Sequence, residues 1–91
     1  MSAKGSDMDR GIGLDISATG MGKIEYYRED ETTLAHLLSG VGLEMDPPMV
    51  RGFGRGKTAV SNVTPFGDSR PDVRDELIAL LTKSGFEVGP M

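Results

Sequence analysis

Between residues 12 and 28 the sequence alternates in a way that only a sheet accommodates. Ile12, Leu14 and Ile16 are interleaved with Gly13, Asp15 and Ser17, and a period of two places the apolar set on one side of an extended strand. Thr19-Gly20-Met21-Gly22 comes next, and glycine enters positive φ without a Cβ penalty. Lys23-Ile24-Glu25-Tyr26-Tyr27-Arg28 then returns in strand-forming residues, so the segment reads as a β-hairpin. Such a hairpin needs an apolar cover for its inner side.

Two later stretches supply that cover. Residues 29–33 read as a helix entry, a capping threonine with acids beside the positive end of the dipole. Leu34, Leu37, Leu38 and Val41 then share one helical face, and Gly40 and Gly42 predict termination near Ser39. The second helix has the fuller set of signals. Ser69 and Asp72 form a capping box, with Pro71 just inside and Asp75 and Glu76 in the first turn. Val73, Leu77, Leu80 and Leu81 make its buried stripe, with Ile78 alongside. Lys83 meets the negative end, and Gly85 occupies the position of a left-handed cap.

Asp46-Pro47-Pro48 forces an extended break between the two helices. Met49 to Val63 reads as a second hairpin that turns through residues 52–56, and Phe86-Glu87-Val88 as a short last strand ended by Gly89 and Pro90. The expected order is β-β-α-β-β-α-β, a small α+β sandwich of two layers. A hairpin followed by a helix also opens a β-grasp arrangement. In a chain of 91 residues, this predicts one domain over residues 11–91 behind a flexible polar tail at residues 1–10.

Composition narrows the function classes. The net charge of −4 runs against a dedicated nucleic-acid binder, which is expected to be strongly basic. The chain has no cysteine, so disulfides, thiolate metal sites and thiol catalysis fall away, and a reducing, cytoplasmic setting is expected. No apolar run approaches the roughly 20 residues of a membrane helix, so no membrane partner is expected.

The stretch RGFGRGKTAV, residues 51–60, resembles the end of a phosphate-binding loop. A P-loop of the form G-x-x-x-x-G-K-[ST] needs its first glycine at position 51, which is Arg51, and a helix after the loop. The residues after Lys57 are rich in β-branched side chains, so the nucleotide reading fails and no cofactor is expected. A contact reading survives. Arg51, Arg55 and Lys57 surround Phe53 on a glycine-rich turn, where arginine can bond anions bidentately and a ring can stack on a base. The bland alternative is a solvated hairpin whose cations balance nearby acids.

Other residues favour bland readings. His36 is the single histidine, without the companions a metal site requires, and no serine is spaced to pair with it. The acids Glu25, Glu29, Asp30 and Glu31, and Asp68, Asp72, Asp75 and Glu76, gather at predicted helix starts, where the dipole favours them. Neither group has the spacing of a calcium loop. No catalytic residue and no metal ligand is therefore assigned. Tyr26 and Tyr27 should face opposite sides of their strand, one in the core and one exposed as an interface anchor. Met45, Met49 and Phe66 are expected in the core.

The function expected from these features is a small non-catalytic domain that binds another protein, as regulator, adaptor or inhibitor of a larger protein or nucleoprotein complex. Phage-encoded inhibitors, including anti-CRISPR proteins, are often small domains of this kind; they share no common motif, so the association is one of base rate and not of resemblance. Its contact residues would be Arg51, Phe53, Arg55, Lys57 and Tyr27. The alternative is a nucleic-acid-binding regulator that uses the basic hairpin at 51–57. A free sheet edge would also allow a homodimer.

Overall fold

The computed structural model describes residues 11–51, 58–67 and 71–91, with Val50 and Arg51 described through their backbone. The expected tail, Ser69 of the expected capping box, and the tip of the second hairpin lie outside the described residues.

The opening hairpin forms as the alternation dictates. β1 (Gly11–Ile16) pairs antiparallel with β2 (Gly22–Tyr27), with Leu14 opposite Ile24 and Ile16 opposite Gly22. Its turn depends on two glycines. Gly20 has φ +100°, and a Cβ there would lie 2.5 Å from Leu43 Cδ2. At Gly22 a Cβ would overlap the Asp15 carbonyl oxygen and lie 2.7 Å from Ile16 Cα. No side chain larger than hydrogen fits either position without movement of the chain.

A 3₁₀ turn (Arg28–Asp30) leads into α1 (Glu31–Gly40), whose Leu34 and Leu38 are fully buried. The N-cap is Asp30 rather than a threonine, without a side-chain capping bond, and Thr32 and Thr33 lie inside the helix. The acid-rich start thus acts through the dipole and not through a hydroxyl cap. α2 (Val73–Lys83) starts later than the capping box implied, with Pro71 in the preceding turn and Asp72 at the N-cap without a side-chain bond. The opening hairpin contributes instead: the Arg74 N–H donates to the Ala18 carbonyl at 3.2 Å, satisfying one of the donors every helix start leaves open.

The end of α2 matches its sequence signals closely. Gly85 has φ +97°, its N–H donates to Thr82 O at 3.1 Å, and the Phe86 N–H donates to Leu81 O at 3.0 Å. These two bonds define a Schellman motif, and it delivers buried Phe86 to the core that Leu81 also joins.

The rest of the sheet is β3 (Leu43–Met45), β4 (Met49–Arg51), β5 (Thr58–Pro65) and β6 (Glu87–Pro90). β3 is one strand more than the sequence led us to expect. β6 begins one residue late and includes Gly89 and Pro90, which were expected to end it. The hairpin-then-helix opening shared with a β-grasp is present, and the strands run β3-β5-β2-β1-β6 across the sheet, with β4 also on β5. β6 lies parallel to β1 and all other pairings are antiparallel. The architecture is therefore a small α+β fold of two layers, a mixed sheet and two helices.

Both helices and the apolar residues of the sheet share one core. Ile12, Leu14, Ile16, Ile24, Tyr26, Ala59 and Val63 meet Leu34, Leu38, Val73, Leu77 and Leu81 there. Strand alternation then sends the intervening residues to the other side. Neither helix covers that side.

The edge opposite β6 is a single strand broken in two. Met45 pairs with Val63 and Met49 with Val60. Three residues (46–48) therefore oppose two (61–62), bridged by the Asp46 N–H donating to Asn62 O at 2.9 Å. This is a one-residue register slip of the kind a β-bulge makes. Met45 and Met49, four apart, would share a side of an unbroken strand. The slip separates them. Met45 packs against the core, whereas Met49 pairs with Val60 on the side turned away from the helices, where Val60 is 6% exposed and Met49 68%. The expectation that Met49 is a core residue is thereby corrected. Phe66 also departs from expectation. Just beyond β5, with its N–H bonded to Gly42 O at 3.0 Å, it is 50% exposed.

Candidate functional surface

The side of the sheet turned away from the helices is built in cross-strand rows. One row runs from Met49 through Val60 and Glu25 to Gly13 and Gly89. A second runs from Asn62 through Lys23 to Asp15. A third joins Thr58 to Tyr27, with the backbone of Arg51 paired on the far side of Thr58. Glu44 and Thr64 lie opposite one another on β3 and β5, and Glu87 pairs with Gly11 at the start of β6.

Three properties mark this surface. It exposes apolar side chains: Met49, and Met91 at 48%, with half-buried Tyr27. Its floor is low along β1 and β6, where Gly11 and Gly89 have open space above them. Above Gly13 that space is filled, since Met91 Cγ comes within 3.0 Å of where a Cβ would stand. Its charge is uneven: Asp15, Glu25, Glu44 and Glu87 accompany Lys23 as its described ionisable side chains other than tyrosine. No ion pair joins any of these to another described residue.

The sequence-derived contact residues divide. Tyr27 stands on this surface while Tyr26 is 1% exposed in the core, as the alternation of adjacent tyrosines requires. Arg51 ends β4 in the row of Tyr27. Phe53, Arg55 and Lys57 lie outside the described residues. Sequence reasoning passed over Met91 and placed Met49 inside. The Pro47-Pro48 break was the available signal for Met49, since a proline pair inside a strand marks a bulge or an edge.

Elsewhere the chemistry-bearing groups are spread out. His36 is exposed on α1, at the rim of an open hollow of about 590 Å³ between the helices whose floor includes Leu37, Val41 and Leu80. Ser61 is buried and bonded to Tyr26. Among the described residues no group of three or more His, Cys, Asp or Glu could hold a metal ion, and no helix is long and apolar enough to cross a membrane. Arg28 Nε donates to Glu31 Oε1 at 3.2 Å, an exposed ion pair worth about 1 kcal/mol at most. Comparison with protein-family models, curated proteins and solved structures finds no match for this chain.

Proposed function

We propose that this chain is a non-catalytic protein-binding domain, a regulator, adaptor or inhibitor of a larger protein or nucleoprotein complex. Small phage inhibitors such as anti-CRISPR proteins belong to this class. The observation that carries the reading is the sheet surface turned away from the helices, with Tyr27, Met49 and Met91 upon it. A half-buried tyrosine and exposed methionines on one surface are residue types that anchor protein interfaces. The edges support the same surface. Pro90 lies in one edge strand and Pro47-Pro48 splits the other, which disfavours strand addition and leaves a face as the place of contact.

The test is affinity capture with nuclease present, comparing the wild-type chain with a Tyr27→Ala/Met49→Glu variant of equal thermal stability. A protein retained by the wild type and lost by the variant supports the reading. Recovery of the same proteins by both, or loss of all of them on nuclease treatment, overturns it.

A second reading is nucleic-acid binding through the hairpin at 51–57. It is favoured by the row that places the Arg51 position beside Thr58 and Tyr27. The acids on the same surface oppose it. Labelled single-stranded DNA and RNA decide the matter: three phosphate contacts give a log–log salt slope of roughly −2 to −3, and no binding at low salt removes the hairpin as a nucleic-acid site.

A further inference from the structure

We infer that the sheet surface turned away from the helices takes a partner whose contact patch carries arginine or lysine around an apolar centre. This rests on the surface being the docking site and adds the chemistry of its occupant. Glu25 on β2 and Glu87 on β6 stand on either side of β1, on the same side of the sheet. Gly11 between them, and Gly89 beside Glu87 on β6, have no described atom near where a Cβ would stand, whereas Met91 fills the space over Gly13, so the surface forms a shallow recess walled by Met91 with carboxylates at its rim. A long cationic side chain suits that shape. Its aliphatic stem lies on the glycine floor beside Met91, and its charged head reaches a carboxylate at the rim. Asp15 and Glu44 extend the acidic rim, and Lys23 is the single cation among its described side chains.

The same charges argue against a second copy of this chain as the occupant. Two such surfaces packed face to face would bring carboxylates together, and like-charge juxtaposition across an interface is strongly unfavourable. An acidic or phosphate-rich partner meets the same objection. A basic protein surface would give these carboxylates charge-assisted hydrogen bonds, while Met49, Tyr27 and Met91 contact its apolar part.

The experiment is a titration of ¹⁵N-labelled protein at low salt with two peptides, one alternating arginine and leucine, the other glutamate and leucine. The arginine peptide should shift the amides of Gly13, Glu25, Glu87 and Gly89, and the glutamate peptide should not. The Glu25→Gln/Glu87→Gln variant keeps side-chain size and should weaken the arginine peptide about tenfold. Equal shifts with both peptides, or stronger shifts with the glutamate peptide, would overturn the charge assignment while leaving the docking surface in place. Shifts confined to the helices, or none with either peptide, would overturn the inference altogether. So would concentration-dependent shifts of the same amides in protein alone, with a dimer seen by sedimentation. The capture experiment reads the docking surface independently, so the two failures are distinguishable.

Discussion

The Tyr26 hydroxyl lies 2.8 Å from Ser61 Oγ, and both side chains are about 1% exposed. Tyr26 enters from β2 and Ser61 from β5, so this bond links two central strands across the helix-facing core. A buried hydroxyl without a partner costs about 1–3 kcal/mol, and each of these is the partner of the other. Tyr26→Phe, which orphans Ser61, should lower unfolding free energy by about 1–2 kcal/mol in chemical denaturation. The Tyr26→Phe/Ser61→Ala pair should cost less than the sum of the two single changes. Additive losses would mean that the two hydroxyls act independently.

The same tyrosine predicts an alkaline limit. Burial raises its pKa above the ordinary value of about 10, with Glu31 adding to the rise and the Ser61 bond and Arg28 opposing it. The unfolded chain therefore releases this proton first. The stabilisation is complete below pH about 10 and is lost as pH climbs from there through the folded-state value. Thermal melts between pH 8 and 11 should show Tm falling over the upper part of that range, with a shallower fall in Tyr26→Phe. Parallel curves for the two proteins would exclude Tyr26 as the cause.

Glycines in this chain separate by what surrounds them. Gly22→Ala drives a methyl into the backbone of Asp15 and Ile16, and Gly20→Ala combines positive φ with contact against Leu43 and Val73. Each should cost more than about 1 kcal/mol. Gly40, the last residue of α1, has open space where a Cβ would go, so Gly40→Ala should be neutral or stabilising by up to about 1 kcal/mol. Equal losses at all three positions would contradict this ordering.

Surface and core apolar residues should respond in opposite ways. Leu77 is fully buried, and Leu77→Ala should remove about 2–5 kcal/mol. Met49→Ser should shift stability by no more than about 0.5 kcal/mol. A large destabilisation at Met49 would make it a packing residue and withdraw it from the contact surface.

Most of the architecture was legible because it is written in local patterns. The alternation of Ile12, Leu14 and Ile16 set the face of β1, and Gly85 set the end of α2 through its own conformation. The tyrosine pair could be split for the same reason, since adjacent strand residues must face opposite ways. The illegible parts depend on partners distant in sequence. The Pro47-Pro48 pair signals a break, but the slip between β3 and β4 exists only relative to β5, so the side on which Met49 falls is set by that distant register. The Ala18 carbonyl at the start of α2 comes from more than fifty residues upstream, and no local capping rule anticipates it. β6 includes Gly89 and Pro90 because β1 provides a ladder for them, against their own tendency to end strands. The contact surface was half visible: Tyr27 was read from its strand, while Met91 reaches Gly13 only because β6 docks beside β1.

The prolines at the two margins of the sheet bear on how the chain behaves at high concentration. Fibril growth needs an intact row of amide donors and acceptors on which the next molecule can template itself. Pro90, which has no amide hydrogen, ends the strand at one margin, and at the other the Pro47-Pro48 break shifts the row by a residue, so a straight incoming strand falls out of step halfway along. A molecule with sticky methionines on an open surface can thus accumulate without seeding its own polymerisation.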